Sequence, residues 1–237
     1  MSGLIILIIV VPGEVHDFSH CGQPMRNISS LSNDGAMKGK GKIERKTIAG
    51  IDYGNRYAGT TVICYNSQHK IRFLQSSKNA DADAFLLNEL SYLHPDLIMI
   101  DAPLSLPGVY WLGSDYGDHF FRDCDRELKA MSPMFLGGLT ARAISLTKRL
   151  NGTEIMETYP RKLVEVLQLP TEQYKHSSQD LAFFAIQLRR IAGIGFNEAQ
   201  ITSWHHVDAT LAFVSGLRYL EKNEQQFGIP EEGIVVV

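Results

Sequence analysis

A chain of 237 residues fits one large domain or two small ones, and 44% apolar against 21% charged residues is enough to bury a core. A net charge of −3 excludes the small, strongly basic class of DNA-binding module, although a catalytic groove needs only local positive charge. Three scattered cysteines, Cys21, Cys64 and Cys124, offer neither zinc spacing nor a disulfide framework, which makes a reducing cytoplasm the expected location.

Residues 4–11 are eight apolar residues in a row, well short of the ~20 that cross a bilayer. No Lys or Arg precedes Arg26, so the run lacks the positive start of a signal peptide. No membrane partner is expected; a buried strand or a simple extension is. Residues 12–46 are rich in Gly, Ser, Asn and Pro and lack periodicity, and 27–41 read as a linker. The basic stretch Lys38, Lys40, Lys42, Arg45, Lys46 is either a solvated linker or an arm that meets phosphate. Residues 1–46 are therefore expected to form a loosely ordered N-terminal extension, and 47–237 the folded domain.

From Thr47 the pattern changes. Residues 47–52, 57–65 and 70–75 read as three strands joined by short turns, an antiparallel meander. A helix follows, capped by Asn79 or Asp81, striped by Phe85, Leu86, Leu90 and Leu93 and stopped by Pro95. The run 97–100 is apolar on both parities, as in a strand covered on both faces and paired in parallel. Residues 102–121 form a long loop carrying Tyr110, Trp111, Phe120 and Phe121; Tyr110 and Trp111 would stack on a base or plug the site. Helices are expected over 122–130, 139–150, 161–167, 179–191 and 204–221, a strand over 153–158, and a short edge strand over 233–237. The last long helix has Thr202 or Ser203 as cap and Val207, Leu211 and Val214 as its buried stripe. The fold class is α/β, with one mixed sheet flanked by helices.

Three acids stand where such a fold can use them. Asp52 ends the first strand in Gly50-Ile51-Asp52-Tyr53-Gly54, Asp101 ends the run Leu97-Ile98-Met99-Ile100, and Asp208 lies near the start of the last helix. If the first and fourth strands are parallel neighbours ~4.8 Å apart, their terminal carboxylates can hold divalent ions at the ~3.5–4 Å spacing of two-metal phosphodiesterases. Mg²⁺ or Mn²⁺ suits such hard oxygen ligands. The small residues Ala212 and Ser215 would let the Asp208 face lie close to the sheet. Each acid also has an ordinary alternative: turn former for Asp52, strand terminator for Asp101, helix-dipole partner for Asp208.

Arg122 and Arg126, with Lys129, recur at helical spacing and would meet a phosphate backbone or pair with Asp123, Asp125 and Glu127. Cys124 is expected to be buried and unreactive. His205 or His206 would donate a proton or orient a metal-bound water, or serve in packing.

The ordered series Gly50-Ile51-Asp52, Ile100-Asp101-Ala102-Pro103-Leu104, Arg122-Asp123-Cys124-Asp125, Glu157-Thr158-Tyr159-Pro160-Arg161 and His206-Val207-Asp208-Ala209 resembles domain of unknown function 429. That family is described as predicted nucleases of RNase H-like fold related to the RuvC and YqgF group. The resemblance covers about residues 47–237. It implies five main strands flanked by helices, Asp52, Asp101 and Asp208 as acidic metal-site residues, and Glu157 as a fourth polar group at the same edge. Tyr159, Arg161 and His206, within the same motifs, are candidate substrate-binding residues. The expected activity is metal-dependent hydrolysis of nucleic acid, DNA or RNA undecided, with Asp52 bridging two ions and a metal-bound water attacking phosphorus. Two rivals remain open: a non-catalytic binding scaffold, and a phosphotransferase of sugar-kinase and actin type, whose first phosphate loop Gly50–Gly54 also resembles. Oligomeric state is not legible.

Overall fold

The structure, a computed structural model, describes residues 46–68, 70–150 and 152–237. The apolar run at 4–11, the linker and basic stretch through 45, Cys21 and the expected helix-closing Asn151 lie outside the described residues.

The described chain forms a seven-stranded sheet in the order β3-β2-β1-β4-β5-β7-β6. Strands β1 (Ile48–Asp52), β2 (Val62–Ser67) and β3 (Lys70–Gln75) make the expected antiparallel meander. β2 starts five residues later than its β-branched composition suggests, because Gly59 turns the chain at φ +72° and leaves Tyr57 exposed. α1 (Ala82–Leu93) follows, capped by Asp81, whose carboxylate accepts from the backbone N–H of Asp83 and Ala84. β4 (Leu97–Asp101) then pairs with β1 in parallel.

The loop after β4 contains one 3₁₀ turn, Gly108–Tyr110. α2 (Asp123–Leu128), α3 (Pro133–Leu136) and α4 (Gly138–Arg149) lead to β5 (Glu154–Glu157), parallel to β4. α3 was not expected, although Ser132-Pro133 is a cap followed by a first-turn proline. α5 (Pro160–Val166), α6 (Asp180–Ala192) and α7 (Trp204–Leu220) follow. The final strand expected at the edge is instead internal: β7 (Val235–Val236) sits between β5 and β6 (Gln226–Phe227), and β6 takes the edge.

Two layers cover the sheet. Ala49, Ile51, Ile98 and Ile100 face α1 and α4 through Leu86, Leu90, Ala143 and Leu146. Ile48 meets Ala209 and Phe213 of α7, and Leu97 and Met99 meet Ala212. α7 is buried from His206 to Gly216, so it behaves as a central helix and not as an amphipathic cover. This is the expected α/β class, one mixed sheet flanked by helices, with seven strands where the motif series implied five main ones. No helix among the described residues is long and apolar enough to cross a membrane.

Candidate metal centre

Side chains alternate along a strand. In β1, Ile48 and Gly50 face α7, and so does Asp52. In β4, Leu97 and Met99 face α7, and so does Asp101. The parallel register sets Asp52 directly opposite Asp101. The third acid comes from α7, which lies against β1 because Gly50 has no side chain. A Cβ there would stand 2.5 Å from the carbonyl oxygen of Ala209 and 2.6 Å from Cα of Phe213. Each of Asp52, Asp101 and Asp208 offers an oxygen, and these atoms all lie within 4.8 Å of one another.

Like charges at that spacing oppose ionisation. Burial, then Asp208 and Asp52, push the Asp101 carboxyl well above the usual carboxylate range. Asp208 is raised to about 6, chiefly by burial, with Lys175 pulling the other way. The donor set is three carboxylates with no sulfur or nitrogen, which fits a hard divalent cation.

Three neighbours contact the acids. The Tyr174 hydroxyl donates to Asp208 Oδ1 at 2.5 Å, and Lys175 Nζ lies 2.5 Å from Asp208 Oδ2. His205 Nδ1 is 2.7 Å from Asp52 Oδ2, and this bond raises the imidazole pKa above its ordinary value. Of the two adjacent histidines it is therefore His205 that reaches the cluster. His206, the residue the motif singled out, is buried, contacts Ser203 Oγ at 2.9 Å and packs on Phe73, so the helix turns it away from the acids.

Tyr174 and Lys175 carried no signal in the sequence, since residues 171–176 have no periodicity and Tyr174 is 34 positions from Asp208. Tyr174 is fixed by ring contacts with Phe184 at 5.5 Å and Trp204 at 5.8 Å.

Glu157 reaches the same sheet edge but not the cluster. It pairs with Ile100, one position short of Asp101, and Met156 packs on the α7 side, so Glu157 points to the opposite face. There it meets Arg122. This arginine is fully buried, and its five N–H donors are consumed by five bonds: two to Asp125, two to Glu157 and one to Ser105 Oγ. Nothing remains for phosphate, and ion pairing, one of the two alternatives for this helix, is the arrangement adopted. Glu157 also accepts from the backbone N–H of Leu104 at 2.8 Å, while buried Glu232 accepts from Gly108 at 2.6 Å and Asp123 at 2.7 Å. The loop after Asp101 is thus anchored at both ends. Arg122→Ala is expected to cost about 3–5 kcal/mol by stranding two buried carboxylates; denaturant unfolding measures it.

Arg126 is exposed and paired with Asp118 at 2.7 Å. Arg161 is exposed at the start of α5, and half-buried Tyr159 is close enough to Asp101 for that carboxylate to raise its hydroxyl pKa, after burial. Trp111 and Tyr110, on the loop after β4, are 57% and 49% exposed. Cys64 and Cys124 are free, buried thiols with their pKa values pushed up by burial.

No family model matches the chain, and no curated protein matches it. Among solved structures, RuvC of T. thermophilus in complex with a Holliday junction substrate is 17% identical over 75% of this chain and 96% of that one, at a TM-score of 0.40. A second structure, RuvC of Thermus thermophilus, is 10% identical over 73% of this chain and 94% of that one, at 0.34. Likeness at this level carries no argument about chemistry.

Proposed function

We propose that the protein is a Mg²⁺- or Mn²⁺-dependent phosphodiesterase acting on nucleic acid. The observation that carries this reading is the convergence of Asp52, Asp101 and Asp208, from two adjacent strand ends and a central helix, within 4.8 Å. Each acid has an ordinary role alone, but three carboxylates held this close repel one another, and a divalent cation between them relieves that repulsion. All three are the residues that would hold it. When bound, such an ion supplies Lewis-acid stabilisation of phosphoryl charge and a more acidic water.

The chain's own groups do the rest. Asp52 orients His205 through the 2.7 Å contact at Nδ1, which favours the protonated ring and leaves Nε2 to give a proton to a leaving oxygen. Exposed Arg161 offers a guanidinium fork to a phosphate at the same edge. Tyr159 and the half-exposed Trp111 offer rings to a base.

A second reading, a scaffold without chemistry, is favoured by one observation: both oxygens of Asp208 already have partners in Tyr174 and Lys175. The two readings separate experimentally. Wild type is expected to cleave DNA or RNA only with Mg²⁺ or Mn²⁺, and Asp52→Asn to fall to background. Cleavage by Asp52→Asn at the wild-type rate would remove the assignment. Absence of cleavage across single-stranded, duplex and branched substrates would favour the scaffold.

A further inference from the structure

We propose that Lys175 is a built-in counter-ion that alternates with the divalent cation at Asp208. The inference rests on the metal-site reading above and adds a role to a residue no motif marked.

Asp208 is almost completely buried, and its two oxygens are treated differently. Oδ1 takes the hydroxyl of Tyr174, whose ring packs against both Phe184 and Trp204. Oδ2 takes the Lys175 ammonium, whose side chain is about half exposed at 49%. The Trp204 indole N–H also donates to the Ser177 carbonyl at 3.2 Å, pinning the segment beyond Lys175. A long, flexible cation is thus held beside the cluster on a fixed backbone. That backbone is left-handed at Lys175, φ 58°, as it also is at Lys129 and Lys222.

An acid cluster without any cation repels itself, and Lys175 is the group that relieves it. Its ammonium lies 2.5 Å from Asp208 Oδ2 and brings a positive charge to the edge of the three-acid cluster. A divalent ion taking Asp208 as ligand meets the ammonium at the same carboxylate, like charge against like charge at close range. One must leave, and Lys175 is the partner with solvent to go to. Its departure places a free ammonium at the rim of the site, where a phosphate oxygen can use it. Metal entry and readiness for a polyanion are then coupled through one side chain.

The test is Mn²⁺ calorimetry at pH 7.5 on wild type, Lys175→Met, Lys175→Arg and Asp52→Asn, with thermal unfolding of each in chelator and in saturating Mn²⁺. Lys175→Met is expected to bind Mn²⁺ about tenfold more tightly than wild type, and Lys175→Arg to stay within about threefold because it keeps the charge. Lys175→Met should melt lower than wild type in chelator and lose that deficit in Mn²⁺. A merely structural lysine would lower both melting points alike. Equal or weaker Mn²⁺ binding by Lys175→Met overturns the alternation while leaving the metal site standing. If wild type and both Lys175 variants bind no better than Asp52→Asn, the metal site itself falls, and the alternation with it.

Discussion

Gly50→Ala is expected to cost at least ~3 kcal/mol, a large share of the roughly 5–15 kcal/mol that holds a domain folded. The added methyl would lie 2.5 Å from the Ala209 carbonyl oxygen and 2.6 Å from Phe213 Cα. Both are backbone atoms of α7, so no rotamer change relieves the clash. The helix would have to lift from the strand at the point where Ile48, Ala209 and Phe213 pack. Since α7 delivers Asp208, the same lift opens the acid cluster. Denaturant unfolding reads the stability loss, and Mn²⁺ titration of whatever folded fraction remains reads the second effect. A Gly50→Ala protein as stable as wild type would mean that α7 does not cross β1 this closely.

Asp101→Asn is expected to act in opposite directions on two properties. Metal affinity should drop at least about a hundredfold, ~2.7 kcal/mol, because a charged ligand is lost. Stability in chelator should instead rise by roughly 1 kcal/mol, since the amide removes one of three mutually repelling charges. The sign follows from linkage. Asp101 and Asp208 bind protons more readily folded than unfolded, so wild type without metal should gain stability as pH falls from about 7 through about 6 toward 4. His205, also raised, adds stability in the same direction, lost as pH rises through its folded pKa. Carboxylates held low by partners, such as Asp81 at about 2, work the other way, and only at more acid pH. Asp101→Asn should flatten the profile between pH 4 and 7. Thermal unfolding in chelator across that range measures it; loss of stability in Asp101→Asn would mark the carboxylate as an ordinary strand terminator.

The sequence made the three acids legible because their positions follow from simple periodicities. Two apolar strands ending in Asp, if parallel neighbours, bring those residues together, and the observed Asp52–Asp101 register does so. Glu157 was misleading for the same reason that the others were clear. Its motif places it at the right edge, but one position of register turns it to the other face, and register is not written locally. Arg122 was opaque because arginine is so rarely fully buried; only the folded chain shows Asp125, Glu157 and Ser105 closing on it. His205 and His206 are adjacent on a helix, so the choice between them depends on a phase that a motif does not carry. Tyr174 and Lys175 lie where no periodicity exists to be read, and their importance is entirely tertiary.

The pairing of the first strand with the last long helix also has a consequence for synthesis. Asp52 and His205, in contact in the folded protein, are 153 positions apart. At roughly 5–20 residues per second, β1 waits on the order of ten seconds or more for the helix that covers Ile48 and Gly50. During that interval an apolar strand face and two acids stand open on the ribosome. Contacts of such long sequence separation also make slow folding steps. The nascent chain is therefore exposed to mispairing along β1 until α7 emerges, and chaperone dependence in cells is expected to track conditions that slow elongation between residues 52 and 205.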